Sequence, residues 1–141
     1  MKLSELIAGA PVRAIEGDTG VDITGLSYDS REARPGHLFF ALARDAARNR
    51  ANIRDALSRG ACAVVVDGGG NVEEGEARPA LIDAPRPRLL MGVAAARFFN
   101  APSARVNLYG VTGTSGKTTT TYLLRSIFEA AGRPSGLIGT I

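Results

Sequence analysis

The apolar positions of this chain change their period several times, and each change marks an element. At the start, Leu3, Leu6 and Ile7 fall on one helical face within Lys2–Ala8, and Gly9 with Pro11 ends the run; a short helix capping a sheet is expected there. Val21–Tyr28 is β-prone, and His37–Leu42 is an apolar run whose length and flanks suit a buried strand, with the turn residues Arg34-Pro35-Gly36 between them. Helical spacing returns at Ile53, Ala56 and Leu57 and stops at Gly60. Cys62–Val66 is then a continuous apolar strand of the kind that parallel sheets bury on both faces. Together these elements make a β-α-β unit.

The stretch Asp67–Pro79, with three successive glycines and Glu73, Glu74 and Glu76, has nothing to bury and reads as a surface loop. Ala80–Ala84 is a brief strand. Pro85 and Pro87 suit the first turn of a helix that Leu89, Leu90, Val93, Ala94 and Arg97 carry to about Asn100, and Ala101-Pro102-Ser103-Ala104 reads as a linker. Beyond it the pattern restarts with strand Val106–Val111, a Gly-rich turn, and a helix with Leu123, Leu124, Ile127, Phe128 and Ala131 on one side. That helix stops at Gly132, before a last strand near Leu137–Ile141. The fold class is therefore α/β, with a small N-terminal α/β domain over residues 1–103 and a second domain that opens with a β-α-β unit over residues 104–141.

Composition narrows the partners. At 141 residues and 45% hydrophobic content, the chain can hold one core, or one small domain plus the opening of another. Seventeen basic against fourteen acidic residues leave +3, without the dense Lys/Arg blocks that non-specific nucleic-acid binding needs. An anionic small molecule, not a nucleic acid, is the expected partner. The single Cys62, inside the apolar run Ala61–Val66, reads as a buried reduced thiol and not as a nucleophile or metal ligand. Glu5 interrupts the first apolar stretch, no small-residue cleavage site follows it, and no apolar run approaches the roughly 20 residues of a membrane span. A cytoplasmic protein without membrane insertion, and a monomer, is expected.

The run Val111-Thr112-Gly113-Thr114-Ser115-Gly116-Lys117-Thr118-Thr119 carries chemistry because it joins an expected strand to an expected helix. In that setting small residues let backbone N–H groups curl around phosphate oxygens, and the helix N-terminus adds its positive dipole end. Lys117 reaches the β and γ phosphates, and the Thr118 hydroxyl can ligate Mg²⁺. The four threonines Thr118–Thr121 are poor helix formers, and their hydroxyls make better sense facing phosphate and metal. The strict G-x-x-x-x-G-K-[ST] spacing is not met, since Val111 stands five positions before Gly116; the loop is a variant.

Gly110–Leu124, then Ala131-Gly132 and Gly136–Ile141, closely resemble the start of the ATP domain of the MurE ligases of the Mur family. Leu26–Arg31, Arg34–Leu42, Ala56–Val66 and Ala94–Phe99 are similar to that family's UDP-binding N-terminal domain. The resemblance implies an ATP- and Mg²⁺-dependent ligase that adds the third peptide residue to UDP-N-acetylmuramoyl-L-alanyl-D-glutamate in peptidoglycan synthesis. It places Tyr28 and Ser30 at the uridine diphosphate, Asp45, Ala46 and Ala47 in a second contact loop, and Gly113, Thr114, Ser115, Gly116, Lys117, Thr118 and Thr119 on ATP, with Thr118 toward the metal. The family's metal-binding acidic residue, modified lysine and C-terminal domain would lie past Ile141, so these residues alone should not be a working ligase. A sibling such as MurF, and a non-catalytic UDP-sugar or nucleotide-binding module, stay open as readings.

Several residues have plainer roles to weigh. The second contact loop departs from the family pattern, having Arg44-Asp45 and Arg48-Asn49; Arg44, Arg48 and Arg50 can offer charge-assisted hydrogen bonds to a pyrophosphate, or be simply solvated. Ser30 can equally be a turn-capping hydroxyl beside an Asp29–Arg31 ion pair. His37 reads as a turn or strand-edge residue, and Tyr109 as packing.

Overall fold

The computed structural model describes residues 1–68 and 79–139. The chain divides into two compact units, Met1–Arg105 and Val106–Ile141. The first unit holds α1 (Leu3–Ile7), β1 (Ala14–Glu16), β2 (Gly25–Ser27), β3 (His37–Phe40), α2 (Ala46–Ser58), β4 (Ala63–Val66), β5 (Ala80–Asp83) and α3 (Pro87–Phe98); the second holds α4 (Lys117–Ala130).

The five strands form one sheet in the order β1-β5-β4-β3-β2, with β2 to β5 mutually parallel and β1 antiparallel on the β5 edge. β3 and β4 lie inside this sheet, so their successive side chains face two different layers. Leu38, Phe40, Ala63 and Val65 pack with Leu3, Leu6 and Ile7 of α1 and Leu90 and Ala94 of α3. The alternate residues Phe39, Val64 and Val66 pack with Ile53 and Ala56 of α2. Phe39 and Phe40 are both fully buried, each worth about 1.5–3 kcal/mol of transfer free energy. The expected β3-α2-β4 unit thus has a helix on one face and two on the other, and α1 is tied to α3 by the Arg97 guanidinium, which donates to the Leu6 carbonyl at 2.8 Å.

Several boundaries differ from the pattern. β1 has no counterpart in the sequence reading: its three residues are all exposed, and it forms because it pairs with β5 and because Arg13 bridges Asp67 at 2.9 Å and Asp83 at 3.0 Å. The Val21–Tyr28 strand shortens to Gly25–Ser27, since ladder pairing with β3 reaches only those residues. α2 begins seven residues before its first apolar mark because Asp45 caps it, accepting from the Arg48 amide at 2.7 Å. His37 is the turn residue expected, its amide donating to the Arg34 carbonyl at 3.1 Å, and it opens the inner strand β3, its carbonyl accepting from the Cys62 amide at 3.0 Å. Burial, and then Arg34, hold its imidazole below the ordinary value and hence neutral at pH 7. Most of the expected loop 67–79 lies outside the described residues.

In the second unit Val106–Val111 is not a strand, and neither is the described part of the expected Leu137–Ile141 strand; residues 140–141 lie outside the described residues. A strand exists only through a ladder partner, and no described residue offers one to either segment. The helix is present as expected, but its apolar side has nothing to cover it: Leu123 and Ile127 are exposed and α4 buries no residue. Tyr109 packs on Phe128 with ring centroids 5.3 Å apart, the packing role foreseen for it.

Three helices end the same way. After α2, Gly60 donates to Leu57 at 2.9 Å and Ala61 to Ala56 at 3.1 Å; Asn100/Ala101 and Gly132/Arg133 repeat the pattern after α3 and α4. This pair of bonds closes the last turn and requires a left-handed residue. Gly60 supplies it at φ +94°, and a side chain there would also meet the Pro35 backbone at 3.0 Å. Gly60→Ala should therefore cost about 1–3 kcal/mol, measured by urea unfolding; a loss below 0.5 kcal/mol would be incompatible with this closure. In hydrogen exchange, amides of Val64–Val66 should be protected by orders of magnitude more than those of α4. Equal protection in the two segments would contradict the uncovered face of α4.

Candidate functional site

The parallel strands β2, β3, β4 and β5 all end on the same edge of the sheet, and ligand-binding loops gather where parallel strands end. The loop after β2 carries Tyr28 and Ser30, and the loop after β3 carries Asp45 at the cap of α2 with Ala46 and Ala47 in its first turn. An open cleft of about 490 Å³ lies beside them, lined by Tyr28, Asp29, Ser30, Arg31, Arg48 and Asn52. Tyr28 and Ser30 share this cleft with α2; Asp45, Ala46 and Ala47 are not in its lining. Ala46 instead lines a second cleft of about 640 Å³ that includes Arg44, Arg86 and Arg88.

Of the charged side chains lining the first cleft, Asp29 and Arg31 are paired with each other and Arg48 is not. Asp29 caps a short 3-10 turn at Ser30–Glu32: its carboxylate accepts from the Arg31 guanidinium at 2.6 and 2.9 Å and from the Arg31 amide at 3.0 Å. The Arg31 side chain and then its backbone N–H push the Asp29 carboxyl down to about 2. The cap is thus Asp29 and not Ser30. The Ser30 hydroxyl, 8% exposed, turns to Asp55 of α2 and, ahead of the Arg59 guanidinium at 2.9 Å, holds that carboxyl below the ordinary range. Arg48 has its amide capped but no side-chain partner among the described residues.

Asn52 and Asp55 were not singled out in the sequence. Their spacing from Arg48 along α2, at four and seven residues, was the available signal: it puts all three on one helix face.

The loop before α4 has different chemistry. Gly116 stands at the helix cap in the left-handed region, φ +74°, and a side chain there would meet only open space. Gly113, at φ +153°, is also in the range that favours glycine. The Lys117 ammonium folds back over the loop and donates to the Gly113 carbonyl at 2.6 Å. α4 has no acidic residue in its first turn and no side chain capping it, so its first amides are open to an anion. Thr114, Ser115, Thr118 and Thr119 are exposed along this loop and first turn. Thr121 departs from the expectation: its hydroxyl donates to the Thr118 carbonyl at 2.8 Å and is spent within the helix. No group of three or more His, Cys, Asp or Glu side chains that could hold a metal ion occurs among the described residues.

Residues 111–141, which contain this loop, match the Mur ligase middle domain. A UDP-N-acetylmuramoyl-L-alanyl-D-glutamate–2,6-diaminopimelate ligase from Caldanaerobacter subterraneus subsp. tengcongensis is 38% identical over all 141 residues, and one from Geobacter sulfurreducens is 41% identical over the same span. Over its whole length the chain is similar to these ligases, and residues 111–141 match the Mur ligase middle domain.

A third such Mur ligase, from Solibacter usitatus, is 44% identical over 124 residues, 85% of this chain. The chain spans 28%, 27% and 24% of the lengths of these three relatives. A solved structure of a ligase of the same name superimposes with a TM-score of 0.71 over 94% of this chain and 26% of its own, at 24% identity, which shows a shared fold. No helix among the described residues is long and apolar enough to cross a membrane.

If Ser30 is bonded to Asp55, then Ser30→Ala should move the Asp55 titration up toward the ordinary carboxylate range while Asp29 still titrates near 2. The sign for Asp29 follows from its depressed value. Its stabilising contribution is complete above the ordinary carboxylate value of 3.8 and disappears as pH falls toward about 2. Carboxyl ¹³C shifts followed from pH 6 to 1.5 read both; an Asp55 midpoint unmoved by Ser30→Ala would remove Ser30 from this network.

Proposed function

We propose that this chain is the N-terminal part of an ATP-dependent Mur ligase that adds the third peptide residue to UDP-N-acetylmuramoyl-L-alanyl-D-glutamate. Met1–Arg105 receives the UDP portion through Tyr28, Ser30, Asp45, Ala46 and Ala47, and Gly113–Thr119 receives the phosphates of MgATP. The names of the relatives support the substrate. The observation that carries the ATP role is the Lys117 ammonium held 2.6 Å from the Gly113 carbonyl over a helix terminus that no side chain caps.

The residues present suit a triphosphate. Gly113 and Gly116 leave the backbone bare where phosphate oxygens approach, the open first amides of α4 donate to them, and Lys117 exchanges its carbonyl partner for a phosphate oxygen. The Thr118 hydroxyl, without a protein partner among the described residues, is placed one residue into the helix, where Mg²⁺ would find it. Bound MgATP would supply the phosphoryl group that activates the substrate carboxylate before the incoming amine forms the amide. The remaining ligands of the metal and the site for the added amino acid are expected elsewhere in a full-length ligase, and the present residues should not catalyse the reaction alone. A monomer working in the cytoplasm fits this role.

Lys117 separates fold from site. It is exposed, and as a cation at a helix N-terminus it opposes the helix dipole, so Lys117→Ala should shift stability by less than about 1 kcal/mol. Losing a charge-assisted phosphate contact worth about 1.5–3 kcal/mol should weaken MgATP binding roughly 10- to 100-fold, with Lys117→Arg rescuing little. Thermal unfolding and MgATP titration of a chain of the relatives' full length compare the three proteins. MgATP affinity and ADP formation equal to wild type in Lys117→Ala would end the phosphate-loop reading.

A further inference from the structure

We infer that Arg48 is the residue that recognises the diphosphate of the ligand in the Tyr28–Ser30 cleft, and so sets the preference for a nucleoside diphosphate over a nucleoside. The inference rests on the proposed UDP-binding role of this cleft and names which side chain provides its charge recognition.

Elimination within the cleft leads to Arg48. Of the two guanidiniums lining it, Arg31 is paired with the Asp29 carboxylate at 2.6 and 2.9 Å, which offsets its charge. Beneath it, Asp55 is matched by Arg59 and by the Ser30 hydroxyl. Arg48 alone among the charged side chains lining the cleft has no side-chain partner among the described residues. A free guanidinium beside an exposed tyrosine and the Asn52 amide offers planar, two-pronged donation to phosphate oxygens.

The start of α2 is a poor site for the diphosphate itself, which leaves Asp45, Ala46 and Ala47 to other parts of the UDP portion. Asp45 already places a carboxylate there, taking the Arg48 amide at 2.7 Å, and that negative charge repels a second anion. A diphosphate is therefore favoured one turn along the helix, at the Arg48 side chain. Arg44 and Arg50 do not line this cleft: Arg44 lines the second one, and Arg50 neither.

The test uses the 141-residue chain, ¹⁵N-labelled, titrated with UDP and separately with uridine while the amide shifts of Tyr28–Arg31 are followed. Wild type should bind UDP more tightly than uridine. Arg48→Ala should weaken UDP about tenfold and leave uridine unchanged, Arg48→Lys should recover part of the loss, and Arg50→Ala on the same helix should change neither. Arg48 is exposed, so the amide spectrum of Arg48→Ala should keep the wild-type dispersion. Equal weakening by Arg48→Ala and Arg50→Ala would mean a diffuse positive field, and weakened uridine binding would mean a contact to the base or a disturbed cleft; either overturns the assignment. An unchanged UDP affinity in Arg48→Ala overturns it while leaving the cleft's role intact. A wild-type chain that binds no UDP removes the functional reading of the cleft, and Arg48 with it.

Discussion

Everything in the first unit follows from burying β3 and β4 on both faces. A parallel pair with Phe39, Val64 and Val66 on one side and Leu38, Phe40 and Val65 on the other cannot leave either side to water, so helices must lie on both. Each helix that returns the chain starts from the edge where the strands end. The same hydrophobic requirement that builds the core therefore brings the loop after β2 and the start of α2 together, and the cleft between Tyr28–Arg31 and Arg48–Asn52 is a by-product of that packing.

The contrast with the second unit shows what burial contributes. α4 has an apolar side as regular as that of any helix in the chain, yet Leu123 and Ile127 are exposed and no described strand forms beside it. Amphipathic pattern and a left-handed closing residue suffice to define a helix, since its hydrogen bonds are internal. A strand has no such autonomy. The apolar run Val106–Val111 carries the same signal as His37–Phe40, and among the described residues only the second has ladder partners.

That difference also explains how far the sequence could be read. The buried runs of β3, β4 and β5 and the end of α2 at Gly60 were legible because apolar continuity and a glycine stop are local signals. β1 was not: its residues are exposed, and it is held by pairing with β5 and by Arg13, some seventy residues from its partner Asp83. The first two turns of α2 were hidden by Arg, Ala and Asn, with only the Asp45 cap as a clue. In the cleft, Tyr28, Ser30 and the Asp29–Arg31 pair were visible on one short segment. The Ser30–Asp55 contact and the isolation of Arg48 were not, because they depend on which face of a distant helix is turned inward.

The helices α2 and α4 start in opposite electrostatic states. α2 begins on Asp45, whose carboxylate satisfies a first-turn amide and fixes the helix start, at the expense of the positive terminus as a binding group. α4 begins on Gly116, which satisfies nothing and leaves those amides free. The Gly116 start is weaker as a cap, by roughly a few tenths of a kcal/mol relative to Asp or Ser. At α2 the stronger cap is kept, and the Asp45 carboxylate neutralises the positive end of the helix. A helix terminus neutralised in this way can bind an extended ligand beside it, but it cannot enclose a phosphate. On the proposed function, this difference suits the capped start of α2 to a nucleotide-linked substrate lying beside it and the open start of α4 to a triphosphate.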